Sequence, residues 1–111
     1  MVDRRGNALD LKPLETLVAR IVETWSPVQI WLFGSRARGD AQDHSDWDLL
    51  IVLADDDHAA LDPIQAWRVG RKARVRADIV AFRVSEFEED RSTPNTLPYD
   101  AATAGVLVYE R

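Results

Sequence analysis

A glycine–serine turn followed by a spaced pair of aspartates constrains the fold of this chain more than any other feature. Gly34-Ser35 is followed by ten residues and then by Asp46-x-Asp48, which leads directly into the apolar run 49–53. Because strand side chains alternate between two faces, Asp46 and Asp48 are predicted to share one face, about 7 Å apart at Cα. A glycine–serine turn brings backbone N–H groups close to a phosphate. Together these features indicate metal-assisted phosphoryl or nucleotidyl transfer.

A third aspartate lies in another apolar segment. The stretch from Arg76 to Phe82 is predicted as a strand and contains Asp78. An acid within so apolar a strand needs a partner. If this strand lies beside the strand predicted over 46–53, Asp78 joins Asp46 and Asp48 as a third carboxylate. The alternative is an ion pair between Asp78 and a neighbouring arginine.

Two arginines follow the glycine–serine turn. Arg36-Ala37-Arg38 is predicted to form one helical turn before Gly39, which places Gly34-Ser35 at a helix N-terminus. Such an end attracts anions through its free N–H groups and the helix dipole. Arg36 and Arg38 are therefore candidates to contact a phosphate. The alternative for both is a surface or partner-binding role.

The rest of the chain alternates between helical and strand patterns. A helix is predicted from an N-cap at Asp10 to Trp25, because its apolar residues recur at helical spacing and Ser26-Pro27 ends it. The other predicted elements are a strand over Val28–Phe33, a strand over Asp46–Leu53, a helix over Leu61–Val75, the strand over Arg76–Phe82, a short helix from Ser85, another over Tyr99–Ala104 and a last strand over Val106–Tyr109.

The helix predicted over Leu61–Val75 has an apolar and a basic side. Leu61, Ile64 and either Trp67 or Arg68 keep helical spacing and are predicted to form its buried stripe, which Ala73 extends. The basic side is a solvated face, a docking surface for an acidic partner or a contact to a substrate phosphate. Its residues are Arg68, Arg71 and Lys72.

Length and composition limit the classes of protein that fit. A chain of 111 residues fits one domain over residues 1–111, with 1–9 expected as a loose lead-in. A net charge of −5 argues against a broad electrostatic grip on nucleic acid. The absence of cysteine excludes disulfides and thiolate metal sites. With no apolar signal core and no run of membrane-spanning length, a cytoplasmic protein without membrane contact is expected.

The motif residues resemble the nucleotidyltransferase superfamily that includes DNA polymerase β. Within it, two segments are similar to those of the minimal nucleotidyltransferase (MNT) proteins. They are Phe33-Gly34-Ser35-Arg36-Ala37-Arg38-Gly39-Asp40 and Gly105-Val106-Leu107-Val108-Tyr109-Glu110. The resemblance implies an α/β fold with a small mixed sheet flanked by helices.

The resemblance also implies site roles and cofactors. The substrate would be ATP with two Mg²⁺ ions, and Gly34 and Ser35 would hold its β and γ phosphates. Asp46 and Asp48 would bind both metals. Asp78 would bind the metal on the nucleophile side and help to deprotonate an attacking hydroxyl.

MNT proteins like this one are commonly antitoxins paired with a HEPN-type ribonuclease toxin. Family members transfer AMP from ATP to a tyrosine hydroxyl of the toxin, which is a separate helical protein. The resemblance therefore implies a protein adenylyltransferase that acts as an antitoxin.

Two other functions compete with this one. The first is an antitoxin that neutralises its partner by binding alone. The second is a nucleotidyltransferase that acts on a small molecule, although enzymes of that kind carry an additional helical domain that a chain of this length is not expected to contain. A templated or RNA-tailing polymerase fits less well, given the net charge of −5.

Overall fold

A mixed four-stranded sheet organises the computed structural model, which describes residues 1–42, 44–57 and 61–111. Its strands are β1 (Gln29–Phe33), β2 (Trp47–Leu53), β3 (Ala77–Arg83) and β4 (Val106–Glu110), in the spatial order β3-β2-β1-β4. β2 and β3 run parallel, whereas β1 is antiparallel to both β2 and β4. This architecture confirms the predicted α/β fold with a small mixed sheet.

Helices cover both faces of the sheet. The parallel strands β2 and β3 cannot be joined by a tight hairpin, and a helix lies in the connection between them. The helices are α1 (Glu15–Trp25), preceded by a 3-10 turn over Lys12–Leu14, then α2 (Gly34–Arg38), α3 (Pro63–Lys72), α4 (Val84–Asp90) and α5 (Leu97–Ala104).

The N-terminal helix forms as the sequence predicts. The Asp10 carboxylate accepts a hydrogen bond from the Lys12 N–H (3.0 Å), which orders the turn before α1. The helix ends at Ser26, whose φ of 47° is left-handed, and Pro27 follows. Its apolar stripe is buried at Leu14, Leu17, Ile21 and Trp25.

β2 is buried on both faces because it lies between two apolar clusters. Leu49 and Ile51 belong to the cluster that includes α1 and α3. Leu50 and Val52 pack with the cluster that includes Phe87 of α4 and α5. Since side chains alternate along a strand, Asp48 projects to the face of α4 and α5, at the leading end of the strand.

The predicted burial of α3 is wrong for two large residues. Ile64 and Trp67 are 62% and 61% exposed. Val69 and Gly70 are buried instead, and the neighbouring small residues of the same stripe are half-buried. A Cβ on Gly70 would lie 3.3 Å from the Val75 carbonyl oxygen, so the loop after the helix folds back closely over Gly70. Tertiary packing, not hydrophobicity alone, sets its orientation.

The first nine residues, expected as a loose lead-in, make specific backbone contacts. Val2 and Ala8 form an antiparallel bridge. The Arg4 N–H donates to the Ala37 carbonyl of α2 (2.9 Å), and its guanidinium donates to the Gly105 carbonyl (2.6 Å). This segment therefore packs against the helix that follows the glycine–serine turn. In the described ranges, no helix is both long and apolar enough to cross a bilayer.

Candidate functional site

Asp48 and Asp78 lie side by side at the leading ends of two parallel strands. They are direct register partners in the β2–β3 pair, and registered neighbours point to the same face of a sheet. The residues that follow them on that face, Leu50 and Val80, pack into one apolar cluster. The β2–β3 pairing thus brings two of the three predicted carboxylates together on one face of the sheet.

The glycine–serine turn begins directly beside Asp48. Phe33, the last residue of β1, pairs with Asp48 across the β1–β2 ladder. Gly34 has a φ of +75°, and a Cβ at this position would collide with the Asp48 carboxylate and lie 3.1 Å from its Cγ. Only a residue without a side chain allows this approach. Ser35 lies in the first turn of α2, where backbone N–H groups lack helical partners.

Asp46 occupies a different environment from the pair. It precedes β2, is exposed and forms an ion pair with Arg76 (Nε to Oδ1, 3.4 Å). The backbone also joins the two segments here, because the Trp47 N–H donates to the Arg76 carbonyl (2.9 Å). Both side chains of the ion pair are more than half exposed, so water screens their attraction. Asp46 is therefore near the site and loosely held.

The surroundings of Asp48 disfavour its ionised form. Desolvation by burial, then the carboxylate of Asp78 and then that of Asp46, raise the pKa of Asp48 above its ordinary value of 3.8. The Arg38 guanidinium acts in the opposite direction. The three predicted carboxylates are thus close enough to interact electrostatically, with more negative than positive charge around Asp48.

The two candidate arginines lie in different environments. Arg36 donates from Nε (3.1 Å) and from a terminal nitrogen (2.8 Å) to the Ser45 carbonyl, and its guanidinium carbon lies 4.2 Å from the centroid of the Trp47 ring. Trp47 and Asp48 are consecutive strand residues that point to opposite faces. Arg36 is therefore directed to the Trp47 side and holds the loop before β2.

Arg38 lies on the side of the carboxylates. It is the cation that lowers the pKa of Asp48, and its Nε makes a long contact to an Asp40 carboxylate oxygen (3.5 Å). Its side chain is 52% exposed, which leaves it available to an anionic ligand. Of the two arginines, Arg38 is the better placed for a phosphate near Asp48.

The carboxylates of the site fit a magnesium ion whose remaining ligands come from the substrate and from water. Among the residues that the structure describes, no group of three or more His, Cys, Asp or Glu is arranged to hold a metal ion by itself. Mg²⁺, however, is commonly bound through one or two carboxylates plus substrate phosphates and water. Asp48 and Asp78 supply two carboxylates. A cation bound beside them would favour the ionised form of Asp48, which burial and the neighbouring carboxylates disfavour.

The sequence does not predict a concavity that lies beside Asp46. A depression of about 300 Å³ connects the exposed Trp67 and Arg71 of α3 to Asp46 and Arg76. The sequence feature that points to this depression is the basic side of α3, which is compatible both with solvation and with binding. The burial predicted for Trp67 hid its connection to the site.

Comparisons with known proteins agree with this geometry. A family model described as "Nucleotidyltransferase domain" matches residues 14–101. No curated protein matches the chain.

Two solved structures share the fold. A Sulfolobus solfataricus protein, described provisionally as a nucleotidyltransferase, aligns with a TM-score of 0.58 and 24% identity over 91% of this chain and 80% of its own. A structure described as a toxin–antitoxin with AMP-PNP aligns with a TM-score of 0.55 and 22% identity over 86% of this chain and 72% of its own. At these identities the likeness establishes the fold alone.

Proposed function

Because this chain belongs to the nucleotidyltransferase domain family, we propose that it is a Mg²⁺-dependent protein adenylyltransferase, the antitoxin partner of a HEPN-type ribonuclease toxin. The observation that carries the proposal is the in-register Asp48–Asp78 pair directly beside the Gly34 turn. The similarity to a toxin–antitoxin structure with AMP-PNP supports the choice of ATP and of a protein partner.

The donor half of the reaction belongs to the glycine–serine turn and its neighbours. Backbone N–H groups at Gly34 and Ser35 bind the β and γ phosphates of ATP, because the first turn of a helix offers unpaired donors to an anion. Arg38 adds a positive charge close to Asp48. Arg36 acts indirectly by holding the loop that leads to Asp46.

The carboxylates hold the cations and receive the proton. Asp46 and Asp48 would hold both magnesium ions, and Asp78 would hold the one on the acceptor side. When bound, these ions neutralise phosphate charge and favour formation of the attacking oxyanion. The acceptor oxygen bonds to the α-phosphorus, the bond from that phosphorus to the bridging oxygen breaks, and pyrophosphate leaves. Asp78, which is exposed, accepts the hydroxyl proton.

A protein acceptor suits the open side of this site. Asp46 and Asp78 are both exposed, so the acceptor side is accessible to a hydroxyl carried by another molecule. A tyrosine of the helical toxin is the acceptor that we propose. Modification of that tyrosine inactivates the ribonuclease.

The main competing function is neutralisation by binding alone. The ion pair between Asp46 and Arg76 favours it, because one of the three carboxylates is engaged by an arginine. The two functions differ in whether the partner gains covalently bound AMP. A small-molecule acceptor is the third possibility.

The test is transfer of label from ATP. The chain is mixed with Mg²⁺, ATP labelled on its α-phosphate and the helical protein encoded beside it, and label on the partner is measured. Asp48→Asn and Asp78→Asn should reduce transfer at least 100-fold, since each removes a carboxylate from the metal site. Asp56→Asn is the matched control, because Asp56 is exposed just beyond the far end of β2.

Each outcome identifies one of the three functions. Label on the partner that depends on Asp48 and Asp78 supports adenylylation. Neutralisation of the ribonuclease without label rejects the enzyme and leaves binding alone. Label recovered in a small molecule moves the acceptor to that class.

A further inference from the structure

Basic charge is concentrated in one segment of an acidic chain. Residues 63–77 contain five of the 14 basic residues and none of the 19 acidic ones. All five basic side chains belong to exposed residues. They are Arg68, Arg71 and Lys72 of α3 together with Arg74 and Arg76 of the following loop. A net charge of −5 therefore describes the chain as a whole and not this surface.

The same surface exposes two large apolar side chains. Ile64 and Trp67 are 62% and 61% exposed and lie three residues apart, on one side of α3. The Arg71 guanidinium carbon lies 5.1 Å from the centroid of the Trp67 ring. Because α3 contacts the core through Val69 and Gly70, the fold does not require a tryptophan and an isoleucine at these positions. We call the five basic residues together with Ile64 and Trp67 the α3 patch.

The α3 patch borders the proposed catalytic site. A depression of about 300 Å³ is lined by Trp67, Arg71 and Arg76 of the patch and also by Asp46. The Arg76–Asp46 ion pair (3.4 Å) joins the two surfaces directly. A protein bound to the patch would therefore lie beside Asp46, one of the three carboxylates of the proposed site.

We propose that the α3 patch docks the protein that presents the acceptor hydroxyl, through a surface on that partner with an apolar centre and an acidic rim. This inference rests on the proposed function for the presence of an acceptor protein. Tryptophan and arginine are the residues most enriched at binding hot spots, and the basic rim selects a partner surface of opposite charge. Single-stranded RNA fits less well, since stacking usually uses successive aromatic rings and Trp67 is the one aromatic residue in 63–77.

The experiment measures affinity for the helical partner encoded beside this chain, by calorimetry without ATP. Trp67→Ala should weaken binding about 30-fold, as expected for a hot-spot residue. Arg68→Glu should weaken it about tenfold, more strongly at low salt than at high salt. Lys12→Glu is the matched charge reversal, because Lys12 is exposed outside the patch, and it should leave affinity unchanged.

Two further measurements separate docking from the chemistry of the site. Binding of Mg²⁺ and an ATP analogue by the isolated chain should be the same in wild type, Trp67→Ala and Arg68→Glu, which also shows that the variants are folded. Transfer of AMP to the partner should fall in both variants in proportion to the loss of affinity at limiting partner concentration.

The outcomes distinguish this inference from the proposed function. A partner that binds through the α3 patch without accepting AMP supports docking and rejects the enzyme. Unchanged affinity in both patch variants overturns docking, even when AMP transfer is observed, and so does a wild-type chain that does not bind the partner. A labelled RNA 20-mer is also tested. If it binds wild type but not Trp67→Ala, while affinity for the partner protein is unchanged in that variant, the patch is an RNA-binding surface instead.

Discussion

Asp48 is held where its negative charge is unfavourable. Burial and two neighbouring carboxylates raise its pKa above 3.8, so the folded state binds its proton more tightly than the unfolded state does. The stabilising effect of that proton is present at low pH and disappears as pH rises through the raised pKa. At neutral pH the ionised Asp48 therefore reduces the free energy of unfolding unless a cation compensates for it.

Replacing Asp48 by asparagine should stabilise the metal-free protein at pH 7. We expect Asp48→Asn to raise the free energy of unfolding by about 0.5–1 kcal/mol, an amount reduced by the partial exposure of the site to water. The difference from wild type should shrink as the pH falls toward 3.8. Thermal melts with a chelator, from pH 4 to 8, measure it. Asp56→Asn should show no such trend, and a destabilised Asp48→Asn protein at pH 7 would contradict the electrostatic explanation.

Gly34 is required both by its backbone conformation and by its distance from Asp48. Its φ of +75° should make Gly34→Ala about 1–2 kcal/mol less stable, and the collision with the Asp48 carboxylate should add to this loss. In an Asp48→Ala background the loss should be smaller by at least about 0.5 kcal/mol, as measured by urea unfolding. Gly39 also has a left-handed φ, of +90°, but the loss of stability in Gly39→Ala should not depend on residue 48. Equal losses for Gly34→Ala in both backgrounds would argue against the contact.

At the scale of the element, α2 separates two arginines that the sequence pattern treats alike. Residues two apart on a helix do not face the same way, and Arg36 contacts Ser45 and Trp47 whereas Arg38 lies near Asp48. We expect Arg36→Ala to lower the free energy of unfolding by about 1–2 kcal/mol through lost hydrogen bonds and ring contact. Arg38→Ala should change stability by less than about 0.5 kcal/mol and weaken ATP binding roughly tenfold.

Denaturant unfolding and ATP-analogue titration of the same two variants measure these effects. Arg91→Ala is a suitable reference, because Arg91 is a half-buried arginine of similar kind that contacts Glu88 and Phe87, away from α2. It should leave ATP binding unchanged. A weakened ATP affinity in Arg36→Ala with unchanged stability would assign Arg36 directly to the phosphates.

α3 and the carboxylate strands show what local sequence can and cannot predict. The strand positions of Asp48 and Asp78 follow from period-two alternation in two apolar runs. Their adjacency depends on the β2–β3 register, which is a contact between distant segments. For α3, the periodicity predicts that a helix forms, but it does not predict which side of the helix faces the core. Val69 and Gly70 are buried there, and the larger Trp67 is exposed. The best-placed candidate docking residues were thus predicted to be core residues.

In the whole molecule, the donor site and the α3 patch meet at the leading ends of β2 and β3. Asp48 of β2 and Asp78 of β3 lie on the face of the sheet that α4 and α5 cover, whereas α3 packs on the opposite face. The Arg76–Asp46 ion pair lies at the leading ends of the same two strands. This arrangement leaves the phosphate side to α2 and the partner side to α3. Binding of nucleotide and binding of partner should therefore depend on different residues of this domain.

Nucleotide binding should stabilise the whole domain only when both strands contribute their carboxylates. A ligand that binds the folded state at 100 times its Kd adds about 2.7 kcal/mol, which corresponds to a rise in Tm of about 10 °C for a domain of this size. We expect Mg²⁺ with a non-hydrolysable ATP analogue to give such a rise in wild type and in Asp56→Asn. Mg²⁺ alone should give a smaller rise, because two adjacent carboxylates leave most of its coordination to phosphate and water. Asp48→Asn and Asp78→Asn should each lose most of the shift, as measured by thermal melts at constant ionic strength. If both variants kept the full rise in Tm, the triphosphate would have to bind away from the leading ends of β2 and β3, and the proposed role of the Gly34 turn would be wrong.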